Sequence, residues 1–146
     1  MSSEKTLQKF LNELKTNSGI TTALLVTEDG LLIAVDELNN NSEKMSCIME
    51  IGAVSAGILS MAEKIIELVT DQSLSQIVIK AGRDDVDPSV TCIITLVYKN
   101  VILLIFLPST LNIGLVFYEI ENTKQKISQF LQEKDDNFIL HPESVL

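Results

Sequence analysis

One histidine, one arginine and two cysteines are all that this chain of 146 residues carries of those types, and each scarcity removes a class of chemistry. His141 stands in the C-terminal tail with no cysteine near it in sequence. Cys47 and Cys92 lie far apart, with no C-x-x-C pair. Neither a zinc site nor a disulfide framework has the spacing it needs, and both thiols are expected to be reduced and packed, as in a cytosolic protein. No G-x-x-x-x-G-K-[ST] or G-x-G-x-x-G motif occurs, so nothing is built to cradle a nucleotide's phosphates. Basic residues are few as well. Eleven stand against 20 acidic ones, for a net charge of −9. That field repels polyanions, which argues against nucleic acid and anionic membrane surfaces as partners. The N-terminus, MSSEKTLQKF, is polar where a signal peptide needs an apolar run, so a cytoplasmic location is expected.

What is present is one globular domain. Apolar residues make up 46% and charged residues 21% of the chain, enough for a full hydrophobic core at this length. Leu7, Phe10, Leu11 and Leu14 mark one helical face, which stops near Ser18-Gly19. The runs TTALLVT and LLIAVD around Asp29-Gly30 predict a β-hairpin, because its turn needs positive φ. A long helix is expected from Glu43 to about Thr70. Then come a strand, SQIVIKA (75–81), a loop, GRDDVDPS (82–89), and two apolar strands, VTCIITLVY (90–98) and VILLIFL (101–107). Lys99-Asn100 separates these two, with Asn100 suited to the positive-φ position of a tight turn. A last helix is expected from Asn112 to Glu133.

The order α-β-β-α-β-β-β-α, with consecutive hairpins, predicts an α/β (α+β) fold. It has a single five-stranded antiparallel sheet, with the first and last helices on one face and the long central helix on the other. Residues 1–134 form the domain and 135–146 a tail.

The aspartates at 84, 85 and 87 invite a calcium reading. An EF-hand loop starting at Asp85 would need glycine where Val90 stands and glutamate where Leu96 stands, so a solvated loop is expected instead. Arg83, beside them, is the one candidate for an arginine finger, and three neighbouring carboxylates oppose that role. No catalytic, cofactor-binding or metal-ligating set emerges.

The central segment IMEIGAVSAGILSMA (48–62) holds one charge and is rich in Gly, Ala and Ser. Three readings compete: a membrane helix, a helix buried by its own chain, and a surface for another helix. Glu50 would cost roughly 3 kcal/mol at the centre of a membrane span, and the segment is bracketed by Glu43-Lys44 and Glu63-Lys64. Winding it at about 100° per residue puts Ile51, Val54, Ile58, Met61, Ile65 and Val69 on one side. Gly52, Ala53, Ala56, Gly57 and Ser60, preceded by Met49, fall on the other. The bulky side is expected on the sheet, and the small side open to a partner's backbone, most economically a second copy.

The element order, the hairpin LLVTEDGLLIAV (24–35), the small-residue central helix and the Asn-x-Gly of NIGLVFYEI (112–120) together resemble the Roadblock/dynein light chain family, over about Leu7 to Leu131. The resemblance implies a homodimer, or a heterodimer with a paralogous Roadblock-like subunit, in which central helices pack together and third strands pair into one continuous sheet. It implies a non-enzymatic adaptor that scaffolds or regulates a small Ras-like GTPase, as the bacterial polarity regulator and the lysosomal Ragulator subunits do. Alternatives are a structural subunit like a dynein light chain, or a small-molecule-sensing domain of related architecture. The expected dimer interface is Met49, Gly52, Ala53, Ala56, Gly57, Ser60, Ile77 and Ile79.

Overall fold

The structure, a computed structural model, describes residues 3–36, 42–82 and 89–140. The elements are α1 (Ser3–Ser18), β1 (Thr22–Thr27), β2 (Leu32–Val35), α2 (Ser42–Val69), β3 (Gln76–Ala81), β4 (Val90–Tyr98), β5 (Val101–Pro108) and α3 (Ile113–Leu140). The five strands form one antiparallel sheet in the order β2-β1-β5-β4-β3. The expected α+β architecture is the one observed.

Strand alternation divides the core in two. Ala23, Leu25, Ile93, Leu103 and Ile105 face α1 and α3, where they meet Leu7, Leu11, Leu14, Val116, Ile120 and Ile127. Leu24, Val26, Cys92, Ile94, Ile102 and Leu104 face the opposite way, under Ile48 and Leu59 of α2. The central strand β5 is covered on both faces, which is why VILLIFL reads as a continuous apolar run rather than an alternating one. At one border of the sheet β3 has a neighbour on one side only, β4.

The turns follow local chemistry. Gly30 takes φ +87° between β1 and β2, where Thr27 Oγ1 accepts a hydrogen bond from the Leu31 amide at 3.1 Å. Asn112 opens α3 by accepting from the Gly114 and Leu115 amides at 3.0 and 3.3 Å, a side-chain N-cap that gives the Asn-x-Gly sequence its physical meaning. In the β4–β5 turn the positive φ belongs to Lys99, at +42°, and not to Asn100.

The last helix also departs from expectation, running to Leu140 instead of ending near Glu133. No glycine or proline stands between Glu133 and Pro142 to stop it. Asp135, in that extra stretch, accepts hydrogen bonds from the Tyr98 hydroxyl (2.7 Å) and the Lys99 ammonium (2.9 Å). The hydrogen bond from Lys99 holds the Asp135 carboxyl below its usual range, and the hydrogen bond to Asp135 raises the Tyr98 phenol. The β4–β5 turn is thereby tied to the C-terminal turns of α3. Residues 134–140 are therefore helical, beyond the helix end expected near Glu133.

Candidate interaction surface

The structure rotates α2 from the expected orientation, so that each expected side is divided between the sheet and solvent. Val54, Met61, Ile65 and Val69 are exposed, at 57%, 70%, 63% and 76%. Of the bulky residues expected on the sheet, only Ile51 and Ile58 pack there. Two residues of the small side go inward instead. Gly52 is buried and Ala56 is only 7% exposed.

The cause is the hairpin beneath. A Cβ placed on Gly52 would lie 2.9 Å from Val26 Cγ1, and one placed on Gly30 would lie 2.8 Å from the Ala53 Cα. The small residues let α2 settle onto the β1–β2 turn, so Gly52 and Ala56 serve the chain's own packing. Ala53, Gly57, Ser60 and Met49 remain exposed, and a Cβ on Gly57 would meet nothing within 4 Å.

The rotation leaves an outward face that is apolar along most of its length. Met49, Val54, Met61, Ile65 and Leu68 all project from it, Leu68 at 86% exposure. Beside it lies β3, the border strand, where Ile79 is 38% and Val78 43% exposed while Ile77 tucks partly under α2. Ile77 and Ile79 oppose Ile94 and Cys92 of β4, on the α2 side of the sheet, as period-two alternation requires. Between helix and strands runs a groove of about 510 Å³ lined by Cys47, Glu50, Val54, Ile79, Cys92 and Phe106, among others. Burial pushes the Cys92 thiol up to about 11, so its sulfur is an uncharged part of that wall.

Residues Met45–Val69 are long and apolar enough, by length and composition, to cross a membrane. In this fold the segment lies on the sheet with one side buried in it, and its outward face also carries Glu50 and Lys64. The border strand β3 and the exposed apolar face of α2 thus lie side by side.

No group of His, Cys, Asp and Glu among the described residues is arranged to hold a metal ion. Arg83, Asp84, Asp85, Asp87 and His141 lie outside the described residues. The exposed residues of this face that the sequence reading did not place there are Cys47, Val54, Met61, Ile65 and Leu68. One signal for four of them was present, since Cys47, Val54, Met61 and Leu68 recur at intervals of seven.

No family model matches the chain, and no curated protein does. Solved structures do. MglB of Myxococcus xanthus superposes with a TM-score of 0.77 at 14% identity, over 90% of this chain and 99% of that one. An MglB with a tetrameric arrangement gives 0.75 at 13%, over 91% and 93%. A Roadblock/LC7 domain from Streptomyces avermitilis gives 0.71 at 16%, over 86% and 97%. The likeness spans nearly the whole of each protein, and at such identities it is a likeness of fold. The chain has the Roadblock/LC7 fold that MglB shares.

Proposed function

We propose that this chain is a non-enzymatic cytoplasmic adaptor that dimerises and then binds or regulates a small Ras-like GTPase. The observation that carries this reading is the exposed apolar face of α2 beside the unpaired edge of β3, on the fold of MglB. A soluble chain gains by covering both at once, and a two-fold copy placed edge to edge does so. The tetrameric MglB arrangement supports self-association as a habit of that protein. A platform spanning two subunits is then the surface on which a GTPase docks.

In such a dimer the amides of residues 76–80 that point to the free edge gain partners across the two-fold axis. Hydrogen exchange should show them protected in the wild-type dimer, while their rapid exchange would rule out a continuous sheet. The role of the GTPase partner is tested by single-turnover hydrolysis. A finger arginine contributes roughly a thousandfold or more to that rate, whereas this reading expects Arg83→Ala to behave like wild type. A collapse of hydrolysis with binding intact would instead assign catalysis to that loop.

A second reading is favoured by one feature, the groove beside Cys47 and Cys92. Its volume is in the range of small-molecule sites, and a ligand that stays bound through purification would turn the account toward a sensing domain.

A further inference from the structure

Among the described residues, Asp36 is the one charged side chain that the fold encloses completely, at 0% exposure. It stands just past the end of β2, where it alters the last rung of the hairpin. Its backbone amide donates to the Ala23 carbonyl at 3.0 Å, and its Oδ2 accepts from the Ala23 amide at 3.1 Å. The side chain thus takes the place that a backbone carbonyl holds in an ordinary antiparallel pair. The β1–β2 ladder stops there, and the chain goes on toward α2. A carboxylate so enclosed needs an opposite charge. Lys15, in the last turn of α1, brings its ammonium to 3.6 Å from the same Oδ2.

The two halves of this pair differ in what reaches them. The Lys15 side chain is 37% exposed, whereas that of Asp36 is wholly covered. The other ion pairs among the described residues are built differently. Their carboxylates, on Asp135, Glu121 and Glu13, are all partly exposed, so water replaces a lost lysine. At Asp36 it has no such access. Lys15 is therefore the lysine at which a change of charge is felt inside the protein.

We propose that Lys15 is a regulatory modification site, at which acylation of the amine unfastens the end of α1 from the β1–β2 hairpin. The reagent is an acyl thioester. The ammonium gives a proton to water, the nitrogen forms a bond to the acyl carbon, and the C–S bond breaks. The departing thiolate takes up a proton as the carrier thiol. The amide that remains is uncharged, so Asp36 loses the cation that offsets its burial. The effect is concentrated at one joint. Leu14, Ile20 and Ala23 pack in the same core layer, and Lys15 also supplies the carbonyl that the Gly19 amide caps at 2.9 Å. Period-two alternation from Ala34 puts Asp36 on the α1 side of the sheet. The device is thus separate from the α2 face and does not depend on the dimer reading.

The test compares charge variants by thermal unfolding and hydrogen exchange. Lys15→Gln stands for the acylated amine, Lys15→Arg keeps the charge, and Lys9→Gln changes an exposed lysine of the same helix. Lys15→Gln should lower the melting temperature by about 5–10 °C, and the other two by no more than about 2 °C. In Lys15→Gln the amides of Ala23 and Asp36 should exchange at least about tenfold faster than in wild type. Asp36→Asn keeps an acceptor for the Ala23 amide and removes the charge, so in that background Lys15→Gln should cost nothing further. Wild type incubated with acetyl coenzyme A should acquire an acetyl group at Lys15, and that fraction should melt like Lys15→Gln. Equal melting of Lys15→Gln and Lys15→Arg would mean that Lys15 acts through its hydrocarbon stem, which overturns the proposal even if Asp36→Asn does not fold. Acetylation at Lys9 that never extends to Lys15 overturns the modification site.

Discussion

Gly57→Arg is expected to yield a folded, soluble monomer of 16.1 kDa where the proposed wild-type unit is a dimer of twice that mass. The substitution suits this purpose because a Cβ at Gly57 meets nothing within 4 Å inside the chain, and helix interiors accept arginine better than glycine. The isolated subunit should therefore be at least as stable as before. In the proposed dimer this open position lies on the face of α2 that meets the partner, where each new guanidinium would be caught without a partner. Burying an unpaired charge in an interface costs about 3–5 kcal/mol, roughly two to four orders of magnitude in dissociation constant. Far-UV circular dichroism should be unchanged while sedimentation velocity reports half the mass. A variant that remains a native dimer would place the contact somewhere other than the outward face of α2.

Gly52→Arg should fail in a different way. Gly52 is five residues earlier on the same helix, yet its Cα faces Val26 on the sheet and the Gly30 carbonyl oxygen of the hairpin. Even a methyl group at 2.9 Å from Val26 Cγ1 forces β1 or the helix to move, a strain of about 1–3 kcal/mol. The guanidinium adds a buried charge. Together these reach about 4 kcal/mol or more, a large part of the roughly 5–15 kcal/mol that holds a domain folded. The expected result is insoluble protein, or a denaturation midpoint far below that of wild type. If Gly52→Arg instead behaves as a folded monomer like Gly57→Arg, the helix orientation described above is wrong.

The contrast between these glycines marks how far the sequence could be read. The β1–β2 hairpin was legible because Asp29-Gly30 carries its instruction locally, through the φ that glycine alone adopts freely. The five strands and the division of helices between the two faces followed from alternation and connection length, which are also local. The existence and length of α2 were legible for the same reason. Its rotation was not. Periodicity separates a bulky side from a small side, but which side meets the sheet depends on what lies beneath, and Gly30 lies more than twenty residues away in sequence. The close approach of α2 to that turn draws Gly52 and Ala56 inward and leaves Val54, Met61 and Leu68 outside. The seven-residue interval of Cys47, Val54, Met61 and Leu68 was visible from the start, but Ile51 and Ile58 share it on the sheet side, so the interval names a row without saying which way it faces. The end of α3 was missed differently. Nothing between Glu133 and Pro142 stops a helix, and the contacts of Asp135 with Tyr98 and Lys99 bring together residues about 37 positions apart.

The central claim is that the working unit is a two-subunit platform for a small Ras-like GTPase, assembled through the outward face of α2. It is tested most directly by titrating purified small Ras-like GTPases from the same cell, loaded with GDP or a non-hydrolysable GTP analogue, against wild type and Gly57→Arg. The account predicts that wild type binds one of them and that the folded Gly57→Arg monomer loses that binding by at least about a hundredfold. Equal binding by dimer and monomer would contradict it, as would no binding of any of these GTPases to the wild-type dimer.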